Sequence, residues 1–265
     1  MIFSMSTQSF FLAWIGMEIN LLSFIPLMLS KSKYSAESML KYFLIQSLAS
    51  IIYMLSLITQ NDFFLFNILM ISTLCMKMGV APLHQWLMPV IEGMSWPNIF
   101  LLLTLQKLIP LVLLSITLSE HSTILVNFFI INSALVGSLG GLTQTSLPKI
   151  MAYSSIAHMS WLIVSLTLSD FIWTVYFSFY TLILFSAISL FHLNQIYSLN
   201  NLISKNKYLN GLLLSTVFMS LSGLPPFTGF FPKLIVMQTL ISSMNLFILS
   251  ILLTSTLISL FFMYA

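Results

Sequence analysis

Five ionisable side chains, Glu18, Lys77, Lys107, His158 and Lys233, fall inside long apolar stretches of the sequence. An ionised group near the middle of a membrane costs about 2.5–3.5 kcal/mol on insertion scales, so four of them would cost roughly 10 kcal/mol before compensation. A purely structural chain has little reason to carry that. A lysine near a helix end can instead reach the interface with its head group, and that reading stays open for Lys233, whose depth the sequence defines least. Glu18, in the middle of LAWIGMEINLLSF, is the poorest fit to it.

The chemistry such residues suit is proton transfer. Burial disfavours an ammonium and a nearby carboxylate favours it, so moving the partner changes the lysine's proton affinity. Glu18 is the one acid within the apolar stretches available to pair with a lysine. Histidine titrates near neutrality. His158, in AYSSIAHMSW, has Ser154 and Ser155 one turn back, which suits a relay through water or, equally, a packing histidine bonded to a serine. Metal and nucleotide chemistries lack their signatures: the chain has no GxGxxG, Walker loop, CxxC or HExxH. Its single cysteine, Cys75, excludes a thiolate-ligated cluster within the chain. No nucleic-acid-binding pattern is present, and electron transfer is expected to belong to a partner.

Prolines stand beside the lysines. A proline leaves the carbonyl four residues earlier without its helical donor. Pro82 would free the carbonyl of Met78, next to Lys77, if the helix ran that far, and Pro110 would free that of Gln106, next to Lys107. Pro225, Pro226 and Pro232, with Gly223 and Gly229, precede Lys233 in LSGLPPFTGFFPK. Broken helices inside a membrane persist only where they face protein or water, and such segments line transport paths. Prolines that simply end spans are the alternative, most natural at Pro82 and Pro89.

The elements that hold these residues follow from composition. The 265 residues are 58% hydrophobic and 6% charged, far below the roughly 25% charged of a soluble domain. A spanning helix needs about 20 apolar residues. The expected fold is therefore an all-α membrane protein, a single polytopic domain over 1–265, with candidate spans at 9–29, 39–59, 63–80, 98–118, 122–142, 150–168, 171–193, 209–224, 230–244 and 245–264. One set of alternate loops carries Lys31, Lys33 and Lys41, then Lys149, then Lys205 and Lys207; the other carries Asp62, Glu120, His121 and Asp170 and no lysine. The positive-inside rule puts the lysine loops in the matrix or cytoplasm. Gly137 and Gly141 have the spacing of a close helix–helix contact. All nine basic residues are lysine, beside 23 Phe and 17 Met. An AT-rich organellar genome gives such a bias, and so does drift on lipid-facing surfaces. No Arg-rich presequence precedes the first apolar run.

Six segments carry a family resemblance: WIGMEINLLSFIPL (14–27), AESMLKYFLIQSLAS (36–50), KMGVAPLHQW (77–86), LQKLIPL (105–111), GGLTQTSLPKIMAYSSIAHMSW (140–161) and LSGLPPFTGFFPKL (221–234). In this order they resemble the subunit 2 family of mitochondrial NADH dehydrogenase, relatives of the bacterial antiporter-like subunits. The resemblance implies two inverted repeats with broken helices and a core membrane-arm subunit of complex I that translocates protons. NADH, FMN, Fe–S clusters and ubiquinone are then expected in partner subunits and none on this chain. The partners are other membrane-arm subunits, including adjacent antiporter-like ones, with membrane lipid around them. The location is the mitochondrial inner membrane with the lysine loops toward the matrix. The resemblance pairs Glu18 with Lys77, continues the polar axis through Lys107, and takes Lys233 toward an exit path. Relatives carry a helix ahead of the tryptophan segment, continue past Tyr264–Ala265, and have a basic or polar residue at Pro148. Trimmed ends or a fragment would both account for the first two, and a neighbour would then supply the missing wall. A stand-alone cation/proton antiporter would want more acidic ligands than Glu18, and a degenerate structural subunit would have lost its lysines.

Overall fold

The computed structural model describes Ser4 and residues 9–29, 33–118, 123–199 and 208–264, without the side chains of 208–210 and 262–264. Lys31, Glu120, His121, Lys205 and Lys207 lie outside the described residues. The described chain is helical and falls into two compact units, residues 1–126 and 127–265.

The first unit holds α1 (Phe10–Met28), α2 (Lys33–Ile58), α3 (Phe63–Met78), α4 (Leu87–Glu92), α5 (Trp96–Leu103) and α6 (Leu105–Thr117). Here α2 packs on α1, α3 and α4, and α3 also packs on α6. The unit boundary falls in the first turn of α7 (Thr123–Gly141). The second unit continues with α8 (Leu147–Leu168), α9 (Asp170–Asn194), α10 (Tyr208–Ser222), α11 (Phe230–Ser242) and α12 (Leu246–Tyr264). Its centre is α8, buried along most of its length and packed on α9, α11 and α12.

The expected apolar segments all form helices. Among the described residues six are long and apolar enough to cross a membrane, counting α5 and α6 as one 22-residue segment, and four shorter apolar helices accompany them. At 1.5 Å per residue, α10 with 15 residues and α11 with 13 each fall short of the ~30 Å hydrocarbon layer.

Around an apolar core, the surface is also apolar and several ionisable groups lie inside. Leu22, Ile51, Phe64, Phe185 and Phe261 are exposed, while Lys77, Lys107, His158 and Lys233 are buried. Lipid accepts the former; the latter need polar partners inside.

Both units interrupt a helix by the same device. At the end of α3, Gly79 takes a left-handed φ of 72°. Val80 N–H donates to the Cys75 carbonyl at 3.0 Å and Gly79 N–H to that of Met76 at 3.2 Å, a Schellman closure. Pro82 lies in the turn beyond, so the helix ends before proline can act on Met78. At the end of α10, Gly223 has φ 85° and Leu224 N–H donates to the Met219 carbonyl at 3.3 Å, with Pro225 and Pro226 following. Pro110 does sit inside α6, four residues after Gln106, and a second discontinuity at Thr104 (φ −115°, ψ −81°) separates α5 from α6.

The glycine contact between α7 and α8 uses Gly137 and Gly140. A Cβ on Gly137 would lie 2.5 Å from the Ala157 nitrogen, and one on Gly140 would meet the Tyr153 ring at 2.2 Å. A one-residue antiparallel bridge, Ser146 to Ser198, ties the loop before α8 to the segment after α9. Leu147 N–H donates to the Tyr197 carbonyl at 3.0 Å and Leu199 N–H to that of Thr145 at 3.2 Å. These two connections belong to the same lysine-bearing set, and within this unit they lie at one end.

Candidate functional site

A helix end leaves its last four carbonyls without intrahelical donors. Inside a membrane these acceptors cannot turn to water, so side chains must supply the donors. The breaks after α3 and α10 collect such donors, and at the second these are His158 and Lys233.

In the first unit the last turn of α3 offers the carbonyls of Met76 and Lys77. The Trp86 indole N–H donates to Met76 at 3.0 Å, and the Gln46 side-chain amide, from α2, donates to Lys77 at 3.3 Å. The Lys77 ammonium points away from its own carbonyl toward α1, where Nζ lies 3.5 Å from Met17 Sδ. Glu18, the next residue along α1, makes no ion pair with it. On the far wall Lys107 of α6 is 2% exposed. Its neighbour Gln106 accepts a 2.6 Å hydrogen bond from the Asn20 amide, linking α1 to α6.

Lys77, Lys107, Asn20, Gln46, Gln106 and Tyr42 line one cavity of about 20 Å³, space for about one water. Glu18 is not among its lining residues. A helical step of about 100° per residue turns Glu18 away from the direction taken by Met17, which does line it.

In the second unit the last turn of α10 offers the carbonyls of Leu221 and Ser222. His158 Nε2 lies 3.1 Å from the Leu221 oxygen, and Lys233 Nζ donates to the Ser222 oxygen at 2.8 Å. Lys233 also sits 5.9 Å over the Trp161 ring, within reach of a cation–π attraction. The other ring nitrogen of His158, Nδ1, is 2.9 Å from the Tyr176 hydroxyl, and the Tyr180 ring packs at 5.1 Å. Ser154, Ser222, Ser255 and Ser259 line a small cavity with His158 and Lys233. Each of these serines donates to a carbonyl three residues back, at 2.8–2.9 Å. Their oxygens keep lone pairs for a further donor.

The break itself needs a bare backbone at Gly229. A Cβ there would lie 1.7 Å from the Ser220 carbonyl oxygen, far inside contact distance. The turn can fold back on α10, and so bring Lys233 to Ser222, only because this residue has no side chain.

Lys77 and Lys107 thus share one cavity, His158 and Lys233 share another, and Glu18 stands beside the first without touching its lysine. Sequence reasoning passed over Gln46, Trp86, Asn20, Gln106 and Tyr176. Asn20 and Gln106 carried a faint signal, as polar residues beside Glu18 and Lys107. Tyr176 carried none, being one aromatic among many in α9. Among the described residues no group of three His, Cys, Asp or Glu that could hold a metal comes together.

Residues 7–259 match the family described as NADH:quinone oxidoreductase/Mrp antiporter, transmembrane. Similar curated proteins are the NADH-ubiquinone oxidoreductase chain 2 of Anopheles gambiae, 43% identical over 98% of this chain and 79% of that one, and of Papio hamadryas, 38% identical over 98% and 79%. Among solved structures, a chain of respiratory complex I from Thermus thermophilus with bound Aureothin has a TM-score of 0.87 at 23% identity, over 99% of this chain and 66% of that one. A chain of the Mrp complex from a Dietzia species has a TM-score of 0.83 at 18% identity, over 96% and 55%. At these identities the structural likenesses show the fold. This chain spans about four fifths of the curated relatives' length and two thirds or less of those solved chains.

Proposed function

Because this chain belongs to the NADH:quinone oxidoreductase/Mrp antiporter transmembrane family, we propose that it works as the chain 2-type, antiporter-like subunit of a respiratory complex I membrane arm, carrying protons across the membrane. Electron flow from NADH to ubiquinone, with FMN and Fe–S clusters, belongs to partner subunits. The chain itself contributes no redox group.

The observation that carries the reading is the construction of both polar sites. Buried lysines stand at helix breaks, in cavities lined by amides and hydroxyls. Proton transfer between fixed groups needs water-sized gaps and donors that can also accept, and both sites supply them. A metal-cation path suits them less. At the second break the Lys233 ammonium on the Ser222 carbonyl repels a sodium or potassium ion that would otherwise use that oxygen as a ligand. This weighs against a stand-alone cation/proton antiporter on the same fold.

Lys107 tests the reading. With the whole complex reconstituted into sealed vesicles, Lys107→Met is expected to lower the protons moved per NADH oxidised while uncoupled NADH oxidation stays within about twofold of normal, about 0.4 kcal/mol in barrier. An unchanged proton ratio at matched electron flux would reject a proton path through this cavity.

The reading also places the lysine-bearing loops in the matrix of the mitochondrial inner membrane. The bridge joining the loop before α8 to the segment after α9 supports a shared side for those two connections. Lys33, at the exposed start of α2, should react with an impermeant amine reagent only when the matrix face is open to it. A cysteine introduced at Asp170 should react only from the opposite side. Reaction of both from one side would overturn the orientation.

A further inference from the structure

Tyr176 has no role in the resemblance or in the sequence motifs, yet its hydroxyl is bonded to the imidazole at the second helix break. We infer that Tyr176 is the positioning residue for His158, holding Nε2 on the α10 break in either protonation state of the ring. The inference rests on the proton-carrying function proposed above.

The geometry fixes the donors. Nε2 of His158 faces the Leu221 carbonyl at 3.1 Å, and a carbonyl oxygen only accepts. Nε2 therefore carries a hydrogen whether the ring is neutral or protonated. In the neutral ring Nδ1 is then an acceptor, and the Tyr176 hydroxyl at 2.9 Å donates to it. In the protonated ring Nδ1–H donates and the same hydroxyl accepts. A hydroxyl is among the few side-chain groups that serve both states by rotation alone.

Location makes this consequential. Tyr176 is 1% exposed and His158 5%, so no bulk water stands ready to replace the hydroxyl. The Leu221 carbonyl held by His158 is adjacent in the chain to the Ser222 carbonyl held by Lys233. The ring is thus kept on the same turn as the lysine. Without the hydroxyl, Nδ1 loses its 2.9 Å hydrogen bond in both states, and Nε2 is held less firmly on the break. Tyr180, at 5.1 Å between ring centroids, and Lys233, which shares the cavity, are titratable groups beside the ring.

The test uses the complete complex in sealed vesicles, reading protons moved per NADH oxidised together with the amount of assembled complex. His158→Gln, Tyr176→Phe and the double variant are compared. Tyr176→Phe should assemble and fall to the His158→Gln level, and the double variant should fall no further than either single one. Tyr176→Gln, whose amide can also donate or accept, should recover at least half of the loss. Wild-type pumping in Tyr176→Phe would overturn the inference. So would a double variant whose loss compounds the two single losses, a Gln variant no better than Phe, or failure of Tyr176→Phe to accumulate while His158→Gln does, which would make the tyrosine merely structural. Failure of the proton-path reading shows separately, as full pumping by Lys107→Met.

Discussion

Replacing Lys77 by Met is expected to abolish proton passage through this chain while the complex still assembles. Assembly should survive because the contacts that close the α3 break do not use the ammonium. Gln46 bonds the Lys77 carbonyl, Trp86 bonds the Met76 carbonyl, and Gly79 closes the turn with backbone donors. The ammonium itself reaches Met17 Sδ, a weak acceptor, so methionine exchanges a charged tip for an apolar one of similar length. Removing an intramembrane charge that costs about 2.5–3.5 kcal/mol should leave stability unchanged or raised. Function should not survive, because methionine has no proton to hold between α1 and the Lys107 wall. Lys77→Arg separates charge from proton exchange: guanidinium keeps the charge but does not release its proton, so it should pump no better than Met. Proton uptake by reconstituted vesicles at matched electron flux is the measurement. Normal uptake in either variant would remove Lys77 from the path.

The second large effect is structural. Gly229→Val should prevent the chain from accumulating in assembled complex, and Gly229→Ala should reduce it severely. The atom that any Cβ meets at 1.7 Å is backbone, the Ser220 carbonyl oxygen, with the Ser220 carbonyl carbon at 2.8 Å, so no rotamer change relieves it. Overpacking usually costs about 1–3 kcal/mol. Here the turn must also withdraw from α10. That takes the Ser222 carbonyl from Lys233, and each buried group left unsatisfied costs about 1–3 kcal/mol more. Gly79→Ala is the control. Its φ of 72° strains an alanine by roughly 1–2 kcal/mol, but its Cβ would meet only ordinary contacts at 3.5 Å, so that variant should assemble. Complex abundance on native gels reads both. Normal abundance of Gly229→Val would mean that the break opens without cost.

Much of this was legible in the sequence. Scarce charge with abundant apolar residues dictates helices in lipid, because hydrocarbon leaves backbone groups no partner but each other. Lys77, Lys107, His158 and Lys233 stand out by cost alone, since burying an ionisable group is expensive wherever the chain takes it. The breaks near Lys77 and Lys233 are readable from Gly79–Pro82 and from Gly223–Pro226, because glycine and proline act on local backbone geometry. What tertiary structure decided is which acceptor each of these groups found. Leu221 and Ser222 offer the same carbonyl as any other residue, and only the end of α10 makes theirs available. His158 reaches Leu221 across 63 positions and Tyr176 across 18, separations that no local spacing rule spans. The relation of Glu18 to Lys77 was decided in the same way. Both residues are plain in the sequence, but the packing of α1 against its neighbours put Met17 against the ammonium and left the carboxylate outside the cavity.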